Sequence, residues 1–251
     1  MVSERDRLTA TVDGIGECGI DSLQAARVLV VGAGGLGSPV LAYLSAAGVG
    51  TLGISDPDRV EQSNLQRQVI HPASSLGQVK SVSAAATVHT LNPNVRVQLE
   101  PKITPDNART IISAYDLVID ATDNFSAKYL LADTCAAAGR PHLWGTLVAM
   151  NFQISVFANG LTLRDLYPVA PPEGTTPTSR INGVLGAVCG QAGSILATEA
   201  IKMIVGVGNP LIGKLLIVDA ASGKWNVVHF GGSRLMDILP PERMNNHETG
   251  R

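Results

Sequence analysis

Along the chain, short apolar runs alternate with longer segments in which the apolar residues recur at helical spacing. The apolar runs are rich in β-branched residues and predict five strands, at residues 27–31, 51–55, 95–99, 116–120 and 142–147. Strands separated by helical segments are typical of a parallel sheet with crossover helices. The pattern therefore predicts an α/β fold.

The segments between the strands carry helix start and stop signals. Residues 38–47 are predicted to be the first helix, because Pro39 lies near its start and Gly48 follows its end. Comparable patterns predict three further helices, at 78–91, 124–138 and 183–205.

The second half of the chain adds elements of a different kind. Residues 151–157 alternate between apolar and polar side chains, which predicts an added strand with antiparallel pairing as one option, and two more strands are predicted at 214–219 and 225–230. The proline-rich segment 159–181 predicts a long connection with little regular structure, and such connections are usually functional or disordered. The polar tail, 231–251, is predicted to be mobile.

Composition narrows the class of protein. The 251 residues suit one large domain or two small ones, and we predict a single domain, in which Ala, Val, Leu and Ile supply the apolar content. A net charge of -2 gives no reason to expect nucleic acid or membrane binding through bulk electrostatics. The N-terminus lacks an apolar signal region, so we expect a cytoplasmic protein. The cysteines Cys18, Cys135 and Cys189 are too scattered for a disulfide framework or a metal knuckle.

The most specific chemical signal is the glycine cluster within residues 28–37. Gly32 allows a sharp bend, Gly34 and Gly35 leave room for a phosphate, and Gly37 allows a helix to pack on the strand. With the strand pattern above, this turn predicts a Rossmann-like, mainly parallel sheet with crossover helices and C-terminal antiparallel strands. Sites for NAD, FAD, S-adenosylmethionine and ATP all use such a turn, and a plain strand-to-helix packing turn has the same pattern.

Polar residues after the second strand add to this signal. Asp56 lies roughly twenty residues beyond the glycines, the spacing at which an acidic residue meets a ribose hydroxyl, although a solvated turn aspartate has the same appearance. Asn64 and Arg67 are suited to stabilising phosphate charge, and Lys80 adds a point charge. Each of these three is, taken alone, also typical of a protein surface.

The fourth strand brings a further carboxylate to the site. Asp123 follows that strand at the carboxyl edge of the sheet, where open α/β proteins bind ligands. Its carboxylate is suited to Mg²⁺, and it is equally suited to capping a helix. Asp58 and Gln68 belong to the polar runs after the second strand, which also contain Asp56, Asn64 and Arg67. They complete the set of predicted nucleotide-binding residues.

Eight segments in the same order resemble the MoeB/ThiF family, which is related to the ubiquitin-activating enzymes, and the likeness extends over residues 14–230. The segments are 32–37, 47–50, 64–68, 77–80, 91–93, 120–124, 183–186 and 199–202. The resemblance implies an adenylyltransferase that uses ATP and Mg²⁺ to activate the C-terminal Gly-Gly carboxylate of a small ubiquitin-like sulfur carrier. A separate sulfur donor would then attack the acyl-adenylate, and the enzyme is expected to be a homodimer.

The resemblance also implies roles for individual residues. Segment 159–181 corresponds to a crossover loop under which the tail of the carrier passes. The implied contacts are Asp56 with the ribose, Asn64, Arg67 and Lys80 with the phosphates, and Asp123 with Mg²⁺.

The chain departs from the family pattern at several positions. Thr162 and Asp165 stand where many members have the first of two C-x-x-C pairs, so no zinc site is expected. Ser179 stands where many members have a loop cysteine. An N-terminal arginine that reaches the partner's site is matched only in part, by Arg5 and Arg7.

Other functions remain open at this point. The glycine turn and Asp56 also suit an NAD-dependent oxidoreductase, but that reading leaves Arg67, Lys80 and Asp123 unexplained. A non-catalytic partner of a carrier protein is a further alternative, which the retained Arg67, Lys80 and Asp123 argue against. Adenylation of a peptide or small carboxylic acid is compatible with the same residues.

Overall fold

The computed structural model describes residues 2–172 and 179–231. The strands are β1 Arg27–Val31, β2 Thr51–Ser55, β3 Arg96–Leu99, β4 Leu117–Asp120, β5 His142–Val148, β6 Asn151–Phe157, β7 Lys214–Asp219 and β8 Lys224–His229. The helices are α1 Arg7–Ala10, α2 Gly16–Ala25, α3 Gly37–Ala46, α4 Lys80–Leu91, α5 Ala108–Ser113, α6 Phe125–Ala138, α7 Leu163–Leu166, α8 Ser179–Asn182 and α9 Gly186–Val205.

All the described strands join one sheet in the order β3-β2-β1-β4-β5-β6-β7-β8. The strands from β3 to β5 are parallel, whereas β6, β7 and β8 each run antiparallel to the strand before them. The predicted fold class, a mainly parallel sheet with antiparallel strands toward the C-terminus, is confirmed.

Helices cover both faces of the parallel part. Val28 and Val30 of β1 lie in a core cluster with α2, α3, α4 and α9, while Leu29 and Val31 lie in a second cluster with α5 and α6. Because both faces of β1, β2 and β4 are buried, these strands are largely continuous apolar runs rather than alternating ones, whereas the edge strand β3 is mostly exposed. This is why the strands could be located from hydrophobicity alone.

The predicted helices begin and end within three residues of the observed ones. Asn124 caps α6 by accepting a hydrogen bond on Oδ1 from the Ala127 N–H (2.8 Å), and Gly139 ends the helix in a left-handed conformation. The cap is therefore Asn124 and not Asp123, which leaves the Asp123 carboxylate to other uses. Helices α1, α2 and α5 were missed. In α2, for example, only three residues are buried, which is too few for a clear apolar stripe.

The connection 159–181 contains more regular structure than expected, since α7 and α8 lie within it. Thr162 and Asp165 form a capping box at the start of α7, in which the Asp165 carboxylate accepts the Thr162 N–H (2.7 Å) and the Thr162 hydroxyl accepts the Arg164 N–H (3.2 Å). The two residues in place of the first cysteine pair thus bond to each other. Residues 173–178 and 232–251, and the side chain of Ser179, lie outside the described structure, as does the predicted mobile tail beyond Gly231.

Helix α9 is long and apolar enough to cross a membrane, with a mean hydropathy of 1.2 over its best window. A core helix passes the same test, and α9 packs on α2, α3, β5 and β6. A Cβ on Gly193 would lie 2.6 Å from the Leu36 carbonyl oxygen, so this glycine allows α9 to pack closely on α3.

Candidate active site

The candidate site lies where the strand order reverses. In the sheet, β1 lies between β2 on one side and β4 on the other. Ligands of open α/β sheets bind at the carboxyl ends of the strands at such a point. Val31 pairs with Asp120, and the Ala121 N–H donates to the Val31 carbonyl (2.9 Å). The glycine turn after β1 and the loop 121–124 after β4 are therefore neighbours.

The glycines of the turn are required for different reasons. Gly32 has a φ of +100°, and a Cβ on Gly37 would lie 1.9 Å from the Gly32 carbonyl oxygen. A Cβ on Gly35 would lie 2.9 Å from Cys189 Sγ, so this glycine is packed against protein. A Cβ on Gly34 would find its first neighbour at 3.6 Å, an ordinary contact. A side chain would therefore be accommodated at Gly34 but would collide with Cys189 at Gly35, and the phosphate contact predicted for both glycines stays a prediction.

The Ala33 peptide of the turn is held from both sides. Its N–H donates to Asp56 Oδ2 (2.8 Å), and its carbonyl oxygen lies 2.8 Å from His71 Nε2. Because a carbonyl only accepts, His71 carries its proton on Nε2, and Nδ1 accepts from the Ser83 hydroxyl (2.9 Å). Burial lowers the pKa of His71 and favours this neutral form. His71 is buried and links Ala33 to Ser83.

Asp56 already has protein partners on both carboxylate oxygens. Besides its bond to Ala33, Oδ1 accepts from the Asp58 N–H (3.0 Å). Burial raises the pKa of Asp56, while Lys80 and the two N–H groups act in the opposite direction. Each oxygen keeps further acceptor capacity, so the ribose contact stays a prediction.

Lys80 is the first residue of α4, and its side chain is buried. Nζ donates to Asp58 Oδ2 (3.1 Å), on a carboxylate whose side chain is 71% exposed. An ammonium group has three N–H donors, so two of them remain available to a phosphate. Asp58 thus orients Lys80, and its own predicted nucleotide contact is untested.

The turn that carries Arg67 is built by Asn64. Asn64 is buried, accepts from the Glu61 N–H on Oδ1 (3.1 Å), and offers its carbonyl to the N–H groups of Arg67 (3.1 Å) and Gln68 (3.0 Å). Arg67 is half-buried, and one of its N–H groups donates a hydrogen bond to the Ser63 carbonyl (3.1 Å). The guanidinium of Arg67 therefore keeps N–H donors without a partner among the described residues, and these can serve the predicted phosphate contact. The side chain of Asn64 is already used to build the turn, and this competes with its predicted phosphate contact.

The donor set fits a nucleotide with Mg²⁺. Gln68 Oε1 is buried without a hydrogen-bond partner among the described residues, and its amide lies beside the open space at Gly34. Asp123 is exposed at the edge of the sheet. Mg²⁺ is commonly held by one or two carboxylates and the phosphates themselves. Residues 2–172 and 179–231 contain no cluster of three or more metal-ligating side chains, and the Mg²⁺ contact of Asp123 stays a prediction.

The cysteines near the site are protonated at neutral pH. Cys189 is buried below Gly35, and burial raises the pKa of its thiol to about 11, although Arg67 opposes the shift. Burial raises the pKa of Cys135 to about 12. Since the thiolate is the nucleophile, neither buried cysteine is prepared for attack.

The N-terminal arginines lie away from this chain's own site. Arg7 is exposed and pairs with Glu4 (3.0 Å). Arg5 lines a cavity of about 750 Å³ at the amino ends of β1, β2 and β3, opposite the glycine turn. A role for either arginine in the site of a second protomer stays a prediction.

Comparison with known proteins gives a consistent result. The sequence profile of the ThiF family matches residues 6–234. The chain is 45% identical over 224 residues to the probable adenylyltransferase/sulfurtransferase MoeZ of Mycobacterium tuberculosis, covering 86% of this chain and 57% of that protein. It is 43% identical to the sulfur carrier protein adenylyltransferase of Thermus thermophilus (82% of this chain, 79% of that one).

Further relatives extend the comparison. The chain is 42% identical to the SAMP-activating enzyme E1 of Haloferax volcanii, covering 87% of this chain and 82% of that protein. Among solved structures, E. coli MccB with MccA-N7isoASN has a TM-score of 0.80 at 20% identity, over 92% of this chain and 72% of that one. The last likeness concerns the fold.

A matched pair of glycine substitutions tests the geometry of the turn. Gly37→Ala is expected to lower the free energy of unfolding by about 1–3 kcal/mol or more, because its Cβ meets a backbone oxygen that cannot move away. Gly34→Ala, which meets no close neighbour, should stay within about 0.5 kcal/mol of wild type. Urea unfolding followed by circular dichroism measures both. Equal losses in the two variants would contradict this geometry.

The buried His71 predicts a pH dependence of stability. Its pKa is lowered in the folded state, so the unfolded chain takes up the proton more readily as the pH falls through about 6.5. Stability is therefore expected to decline from pH 7 toward pH 5. The amide of His71→Gln can still donate to Ala33. In this variant, the part of the decline that His71 causes should be absent from the free energy of unfolding measured in urea at each pH. Parallel pH profiles for the two proteins would refute the assignment.

Proposed function

The chain belongs to the ThiF family, and on this premise we propose that it adenylates the C-terminal Gly-Gly carboxylate of a ubiquitin-like sulfur-carrier protein with ATP and Mg²⁺. The names of the relatives from Thermus thermophilus and Haloferax volcanii support this substrate class. Because the chain spans little more than half the length of MoeZ, activity, substrate and partners are all part of the proposal.

One observation carries the proposal. Two cations, Arg67 and Lys80, follow the glycine turn and have N–H donors without a partner among the described residues. The same segment buries the Gln68 side-chain oxygen, an acceptor that also lacks a partner among those residues. Cleavage of a phosphoanhydride bond develops negative charge that such donors stabilise. Hydride transfer to a nicotinamide has no comparable need, which disfavours an oxidoreductase.

The reaction requires positioning more than covalent chemistry from the protein. A carboxylate oxygen of the carrier forms a bond to the α-phosphorus of ATP, the bond from that phosphorus to the bridging oxygen breaks, and pyrophosphate leaves. When bound, Mg²⁺ would neutralise negative charge on the phosphates. The clamp of Asp56 and His71 on Ala33 holds the glycine turn so that N–H groups at the start of α3 face the anion.

The chemistry of the cysteines sets the end point of the reaction. Cys135 and Cys189 are protonated and buried, and Cys18 is exposed on α2. We therefore propose that this chain releases or retains the acyl-adenylate and that a separate sulfur donor attacks it. We also propose that the chain forms a homodimer, as the family resemblance implies, and that it is cytoplasmic.

Exchange of pyrophosphate into ATP tests the proposal. Wild type is expected to catalyse Mg²⁺-dependent exchange only when a purified carrier ending in Gly-Gly is present. Asp123→Ala should reduce the rate about 100-fold without unfolding the protein, because it removes a carboxylate that acts on the phosphates through the metal. Asp106→Ala, which alters another exposed aspartate, should have no effect.

The outcomes of this experiment separate the candidate functions. Full activity in Asp123→Ala, or oxidation of NADH by wild type, would contradict the proposal. Exchange with short peptides or small carboxylic acids but not with a carrier would replace the substrate. Nucleotide binding without any exchange would indicate a non-catalytic partner.

A second experiment concerns covalent catalysis. Replacing Cys18, Cys135 and Cys189 together with serine is expected to leave exchange within a few fold of wild type, because no thiolate takes part. Some loss of stability is expected from changes at the two buried positions. A reducible adduct between the chain and its carrier, detected by mass spectrometry and abolished by one substitution, would show that a cysteine acts covalently after all.

A further inference from the structure

A cluster of buried polar side chains lies directly behind the candidate site. Asp120 ends β4, Lys128 lies in the second turn of α6, and His142 begins β5. Their side chains are 0%, 3% and 2% exposed. No role assigned so far uses this cluster, yet it adjoins the loop 121–124 that carries Asp123.

Asp120 shapes that loop through one of its oxygens. Oδ1 accepts from the N–H of Thr122 (2.9 Å), from the hydroxyl of Thr122 (2.6 Å) and from Lys128 Nζ (3.3 Å). The first two bonds bend the chain immediately after β4. Thr122 is therefore fixed by the carboxylate, and Asp123 follows it.

Lys128 holds the carboxylate in this orientation. Its ammonium bridges Asp120 to the carbonyl of Gly145 in β5 (2.7 Å) and lies 5.6 Å from the centre of the Trp144 ring. Its backbone N–H donates to the carbonyl of Asn124, the cap of α6 (3.2 Å). One residue thus connects the end of β4 and the middle of β5 with Asn124, the last residue of the loop.

His142 is a second possible partner of Asp120 and faces its other carboxylate oxygen. Oδ2 has no hydrogen-bond partner among the described residues and is 3.6 Å from His142 Nε2. Burial opposes the charge on Asp120, but Lys128, His142 and Thr122 outweigh it and hold the pKa of the carboxyl at about 2. Without Lys128, Asp120 would remain as a buried anion. A rotation of its carboxylate toward His142 would break the bonds to Thr122.

Stability does not account for such a pair. Removing two charges from water is expensive, and apolar replacements of buried ion pairs are often neutral or stabilising. The bonds do, however, fix a direction, because Lys128 holds the same carboxylate oxygen that accepts both bonds from Thr122, while the other oxygen faces His142. This points to a role in geometry.

We propose that Lys128 is a positioning residue, which acts through Asp120 to fix the loop 121–124 and thereby the direction of the Asp123 carboxylate. The effect on Asp123 rests on the proposed function, whereas the effect on the loop does not. The experiment is therefore read out in two ways.

The first readout is hydrogen–deuterium exchange of the protein without nucleotide. In Lys128→Met the amides of residues 121–125 are expected to exchange about tenfold faster than in wild type, because the loop opens more often. Lys128→Arg, which keeps the charge, should restore most of the protection. The matched control is Lys202→Met, which removes the partner of Glu199 in α9 (2.6 Å) and should leave these amides unchanged.

The second readout is the Mg²⁺ concentration that gives half-maximal pyrophosphate exchange. It is expected to rise about tenfold in Lys128→Met with a smaller change in kcat, and to be unchanged in Lys202→Met. If Lys128→Met does not fold, Thr122→Val replaces it, since that change removes only the hydroxyl bond to Asp120.

Each outcome decides one part of the proposal. Unchanged protection of residues 121–125, or equal effects of Lys128→Met and Lys202→Met, would overturn the positioning of the loop. Faster exchange with an unchanged Mg²⁺ requirement would overturn the link to Asp123. Absence of pyrophosphate exchange in wild type would refute the proposed function, and the amide measurements would still decide whether Lys128 fixes the loop.

Discussion

The close approach of backbone at the carboxyl ends of β1 and β4 is the constraint on which the rest of the site depends. A Cβ on Gly32 would lie 2.6 Å from the carbonyl oxygen of Ala121, and one on Gly37 would lie 1.9 Å from the carbonyl of Gly32. Only glycine allows this approach. It brings the start of α3, the glycine turn and the loop 121–124 together, so the predicted phosphate site and the Asp123 carboxylate share one edge of the sheet.

The start of α9 forms a platform under the other half of the site. A Cβ on Gly186 would lie 2.3 Å from the carbonyl oxygen of Gln66, and Cys189 packs against Gly35. The turn that carries Arg67 therefore rests on this helix. Gly186 at the start of α9 thus allows the close contact that helps to position Arg67.

Much of the fold follows from local sequence. The strands, the ends of α6 and the switch to antiparallel pairing at β6 were predicted, because buried strands are continuous apolar runs and half-buried strands alternate. The glycine turn was also identified, since its chemistry is local. Short helices such as α2 and α5 were missed, because few of their residues are buried and their apolar pattern is correspondingly weak.

The sequence by itself thus determined the order of elements, the glycine turn and the residue types around it. Only the tertiary structure showed that His71 holds Ala33, 38 residues away, that Lys128 bridges two strands, and that Asn124 rather than Asp123 caps α6. The physical reason is that an isolated buried polar residue has no periodicity, and its partner is set by the packing of elements that are distant in sequence.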